Sequence, residues 1–184
     1  QDKLEEMRAS ATEPCYAGHP LSHWVRDVQL ESSFMPQPLR PEAERAIAHI
    51  GTNAIPFLLK WMGGGSSSTF LDSGTLQAFR VLGPGARSAI PELARLATNQ
   101  PESILRAEQH LQHGFTGFGY GPLYALGAIG PEAMPAVLTI LTNAIAPGTK
   151  YGAIGALAAM GTNARPAVPV LLRYTNDENE MVVS

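Results

Sequence analysis

Ala46-Ile47-Ala48-His49-Ile50-Gly51 is followed three residues later by Ala54, and the chain returns to this phrase three more times. The later copies are Ala78-Phe79-Arg80-Val81-Leu82-Gly83 with Ala86, Ala125-Leu126-Gly127-Ala128-Ile129-Gly130 with Ala133, and Ala156-Leu157-Ala158-Ala159-Met160-Gly161 with Ala164. Four before the glycine stands Ile47, Phe79, Leu126 or Leu157, and one before it Ile50, Leu82, Ile129 or Met160. Seven and ten after it stand Leu58/Trp61, Ile90/Leu93, Val137/Ile140 and Val168/Leu171. Offsets of three and four are helical periodicity, and no segment offers a convincing period of two. The glycine suits the left-handed residue that closes a helix. Proline follows five residues after it (Pro56, Pro135, Pro166) or eight after it (Pro91, Pro169), where a first helical turn tolerates a missing N–H. Each unit reads as helix A, glycine turn, helix B.

The glycines lie 32, 47 and 31 residues apart, so the third unit carries an insertion of about fifteen residues, at 99–121. A unit this short cannot bury its own apolar face, and neighbours must stack to do so. The expected fold is all-α: an α-solenoid of stacked antiparallel helix pairs, about four of them plus the start of a fifth.

These units resemble HEAT repeats of the short bacterial kind and are similar to the HEAT-like repeats of phycobilin lyases. The Trp/Tyr pattern of tetratricopeptide repeats and the T-P-L-H phrase of ankyrin repeats are absent. The resemblance covers residues 42–184 and implies that the B helices line a concave face. Residues 176–183, Asn-Asp-Glu-Asn-Glu-Met-Val-Val, look like the acidic opening and first apolar residues of a further helix A. An uncapped edge there carries the expectation of weak self-association.

Residues 1–41 form an N-terminal extension. Within it, Tyr16-Ala17-Gly18-His19-Pro20-Leu21-Ser22-His23-Trp24-Val25 resembles a segment that precedes the first repeat in HEAT-repeat proteins of some environmental bacteria. Ser22 is the expected N-cap of a short helix carrying Trp24, Val25 and Val28, with Trp24 and Leu21 covering the edge of the first repeat. The resemblance implies an N-terminal anchor or export signal, hence an extracytoplasmic or membrane-anchored setting. A first residue of Gln rather than Met is expected after a removed signal sequence, a membrane anchor or an arbitrary chain boundary, so localisation stays open.

Composition narrows the functional classes. Thirteen Lys and Arg against sixteen Asp and Glu give a net charge of −3, which argues against nucleic acid or anionic lipid as a general partner. A hydrophobic fraction of 45% and a mean hydropathy of −0.02 fit a soluble folded chain, and no apolar run approaches the roughly 18 residues of a membrane span. The single cysteine, Cys15, excludes an intramolecular disulfide and has no neighbouring base or cation to activate it.

Positions four, nine and twelve after the glycine lie off the apolar stripe. They supply Lys60, Arg87, Arg95, Arg165 and Arg173, with Glu92 the only acid among them. Such a basic strip suits an acidic protein or peptide partner, although long cationic side chains also serve simply to solvate a face. The insertion alternates glycine with Phe115, Phe118 and Tyr120, an aromatic loop that either meets a partner or folds back into the groove between units. His110 and His113 share a helical side, but no third ligand pattern accompanies them. Gly63-Gly64-Gly65-Ser66-Ser67-Ser68 lacks the Lys-Ser/Thr of a phosphate loop and reads as a flexible connection.

No catalytic, metal or cofactor motif is present, so the expected function is a non-catalytic protein- or peptide-binding scaffold. The alternatives are an enzyme on a HEAT-like solenoid, of the chromophore-lyase or DNA-glycosylase kind, and a structural piece of a longer solenoid.

Overall fold

The computed structural model describes residues 13–27, 39–63, 69–99 and 121–174. They are mostly helical, and the chain divides into two compact units, residues 1–85 and 86–184. Among the described residues no helix is long and apolar enough to cross a membrane.

The first unit opens on a small hairpin, β1 (Cys15–Tyr16) against β2 (His19–Pro20), with Cys15 facing Pro20 and Tyr16 facing His19. Its two loop residues, Ala17 and Gly18, both take positive φ, as a two-residue hairpin turn requires. Helix α1 (Leu21–Arg26) follows at once and buries Leu21 and Val25 completely. It packs against α2 (Pro41–Ile50) and α4 (Thr69–Leu82), and α4 also packs on α2 and on α3 (Ile55–Gly63).

The contact of α1 with α4 depends on Gly74. A β-carbon there would stand 1.7 Å from the Val25 carbonyl oxygen, so only glycine admits that approach. Helix α2 begins with Pro41 at its first position, carries Glu42 and Glu44 in its first turn and buries Ala43, Ala46, Ile47 and Ile50. The acids complement the positive end of the helix dipole.

In the second unit, α5 (Ile90–Thr98) packs on α6 (Gly121–Ile129) and on α7 (Met134–Asn143), while α8 (Pro147–Ala159) packs on α6 and α7. Helix α6 is buried on most sides, through Leu123, Ala125, Leu126, Gly127 and Ile129. Small residues on α8, including Gly152, Ala153 and Ala156, let the two backbones approach closely. A β-carbon on Gly127 would lie 2.8 Å from the Ala156 oxygen. The last described helix is α9 (Val168–Leu171). Beyond it, the Tyr174 hydroxyl donates to the Leu141 carbonyl at 3.1 Å, and the Lys150 ammonium lies 5.6 Å from the Tyr174 ring centre.

The four repeat glycines all adopt positive φ, +62° at Gly51, +48° at Gly83, +104° at Gly130 and +58° at Gly161. The chain does not turn straight into a helix B, however. Stretches of 3-10 helix follow at Gly51–Ala54, Gly83–Ala89, Pro131–Ala133 and Gly161–Ala167.

Three local expectations need correction. The two-stranded hairpin was not anticipated, because strands of two residues leave no periodicity to read. Ser22 does not cap α1 with its side chain; the Glu13 carboxylate accepts from the Ser22 backbone N–H at 2.9 Å. Val168, expected in the core, is 47% exposed, whereas its counterparts Leu58 and Val137 are fully buried. The proposed helix within 99–121 and the further helix A at 176–183 fall on residues 100–120 and 175–184, which lie outside the described residues.

Candidate functional site

The 3-10 geometry decides which side chains of the repeat reach solvent. With three residues per turn, side chains at i and i+3 eclipse one another. In the second unit Ala86 and Ala89 are buried while Arg87 and Ser88 are exposed. Ala164 and Ala167 are buried in the same way, with Arg165 and Pro166 exposed. Two repeats thus set an arginine at the same outward position, one residue after the buried alanine of the repeat phrase.

Arg173, just past α9, is also exposed, and its positive charge lies at the carbonyl end of a helix. Arg95 differs from these three. Its guanidinium donates from Nε at 2.8 Å and from a terminal nitrogen at 2.6 Å to the two oxygens of Glu92, one turn earlier on α5. That hydrogen bond, more than the bare attraction of the charges, holds the Glu92 carboxyl below the usual carboxylate range and raises Arg95. Lys60 is exposed on α3, in the first unit.

Among the described residues of the second unit, cations outnumber carboxylates. Its described residues carry Arg87, Arg95, Lys150, Arg165 and Arg173 against the carboxylates of Glu92 and Glu132. Glu92 is committed to Arg95, and Lys150 sits over the Tyr174 ring. No ion pair among the described residues engages the guanidinium of Arg87, Arg165 or Arg173. Phe115, Phe118, Tyr120, His110, His113 and residues 64–68 all lie outside the described residues.

A second cluster, not foreseen from the sequence, gathers in the first unit. The His19 and His23 rings stack at 4.3 Å with planes 18° apart, and Trp24 meets them edge-on at 5.5 and 4.9 Å. Tyr16 joins Trp24 at 6.2 Å and His49 of α2 at 4.7 Å. The four-residue spacing of His19 and His23 was the available signal, but the hairpin that makes it meaningful was not legible. Stacked imidazoles keep their in-plane lone pairs in separate parallel planes, so this pair does not converge on one metal ion. The cluster instead fastens the hairpin to α1 and α2. The Trp24 indole N–H is buried there without a hydrogen-bond partner. Cys15 is exposed, with its thiol 3.5 Å from the Glu13 carbonyl oxygen.

Among the described residues, no three His, Cys, Asp or Glu side chains gather into a set that could hold a metal. No family model, no curated protein and no solved structure matches the chain.

Proposed function

We propose that this chain is a non-catalytic binding module built of stacked HEAT-like helix pairs, and that it takes an acidic protein segment on Arg87, Arg165 and Arg173. The observation that carries the reading is the shared register of Arg87 and Arg165. Two 3-10 turns of the second unit both present a guanidinium outward beside a buried alanine pair. Arginine suits this task because its planar fork pairs with carboxylates through two hydrogen bonds. A net charge of −3 for the whole chain supports an acidic peptide over a nucleic-acid backbone.

Peptide selection on the folded chain tests this proposal. A displayed random library is enriched on wild type and counter-selected on the Arg87→Glu/Arg165→Glu/Arg173→Glu variant. The expected survivors are rich in Asp and Glu. Survivors of neutral or basic composition, or equal retention on both proteins, contradict the reading.

A further inference from the structure

Counted from the repeat glycine, the segments that follow Gly83, Gly130 and Gly161 differ in charge. Four and twelve residues after Gly83 stand Arg87 and Arg95, and the same offsets from Gly161 reach Arg165 and Arg173. After Gly130 both places are neutral, Met134 and Thr142, and the exposed Thr139 lies between them in sequence. Helix α7, which follows Gly130, packs against α5, which follows Gly83, and against the Gly161–Ala167 turn that bears Arg165. Among the described residues, α5 and that turn make no contact of comparable extent, so α7 separates two basic rows.

The separation matters because of screening. Each step between packed helices is about 8–10 Å, which sets the rows about 16–20 Å apart. Charges at physiological salt are screened over about 8 Å, so the rows attract as two sites rather than one field. In the first row Glu92 already occupies Arg95, which leaves Arg87 as the open cation. In the last, neither Arg165 nor Arg173 is ion-paired among the described residues. The face of α7 between them has no charge and few donors. The Thr139 hydroxyl donates to the Pro135 carbonyl at 2.9 Å, and the Thr142 hydroxyl to those of Leu138 and Thr139 at 3.0 and 3.2 Å. A threonine has a single donor, so neither has one left for a ligand carboxylate.

Resting on the acidic-segment reading above, we propose that the partner is an extended segment with two acidic clusters, one for Arg87 and one for Arg165 and Arg173, joined by uncharged residues that cross α7. An extended chain advances about 3.3–3.6 Å per residue, so about five or six residues span the gap. A carboxylate in the middle would meet no cation while losing hydration, so a continuous acidic run of equal charge fits less well.

Peptides of equal charge, titrated into the folded full chain by fluorescence anisotropy, test the spacing. Each carries two Asp-Glu pairs separated by about two, five or ten Ser and Ala residues. At physiological salt the middle peptide is expected to bind at least about threefold more tightly than the shortest, with the longest between them, because it spans both rows without slack. The preference should disappear in Arg165→Glu/Arg173→Glu, which removes one row. It should shrink in Thr142→Arg, which sets a cation between the rows within reach of the short peptide. At low salt, where screening extends to about 30 Å, the rows merge and the preference fades. All the replaced residues are exposed, so the variants keep the fold. Equal affinity of the three peptides for wild type, each lost in Arg87→Glu/Arg165→Glu/Arg173→Glu, would overturn the spacing and leave the acidic-segment reading standing. Absence of binding by any peptide, or equal binding to wild type and that triple variant, would overturn both.

Discussion

Gly74 and Gly155 are both glycines inside helices, yet substitution by alanine should act in opposite directions. At Gly74 the new methyl meets the Val25 backbone oxygen at 1.7 Å, and neither backbone can yield without separating α1 from α4. Gly74→Ala is expected to cost about 3 kcal/mol or more. At Gly155 the nearest atoms belong to the Tyr124 ring at 3.4 Å, an ordinary contact, so Gly155→Ala gains helix propensity of about 1 kcal/mol. Urea denaturation of the two variants checks both signs.

Glu92 offers a second prediction at this scale. Releasing Arg95 with Glu92→Gln should tighten an acidic peptide by severalfold while leaving urea stability nearly unchanged, since exposed pairs contribute little. The sign with pH follows from the lowered Glu92 carboxyl. Any stability the pair lends is present above the ordinary carboxylate range and is lost as pH falls through its depressed folded value. A peptide's carboxylates protonate before Glu92 does, so acid weakens binding before it frees Arg95. Fluorescence titrations at neutral and acid pH read both effects.

Among the elements, α1 is six residues long and owes its place to packing and to one distant cap. Its first turn is served by Glu13, nine residues from Ser22 in sequence, rather than by a side chain at the cap position. Glu13→Gln should therefore cost about 1 kcal/mol, measured by the midpoint of thermal or urea unfolding. An unchanged midpoint would show that the apolar contacts of Leu21 and Val25 alone hold the helix. This element also marks where sequence reading runs out. The glycine-terminated helices were legible because the apolar offsets and the left-handed glycine are both local signals. The hairpin, the Glu13 cap and the His19–His23 stack were not, since each rests on a meeting of residues that no spacing announces. The outward arginines were legible by position. The 3-10 turns that aim Arg87 and Arg165, and the fork that ties Arg95 to Glu92, came only with the structure.

For the whole molecule, Arg87, Arg165 and Arg173 are local features of a chain whose net charge is −3. The helical character of the described residues follows from the repeat phrase. The most direct measurement is calorimetric titration of an acidic amphipathic peptide into wild type and into Arg87→Glu/Arg165→Glu/Arg173→Glu, at low and raised salt. Each exposed contact is worth about 0.2–1 kcal/mol, so the three together should weaken binding by between about threefold and a hundredfold, with wild-type affinity falling as salt rises. Equal affinity in the two proteins, with the variant still folded by circular dichroism, would contradict the account.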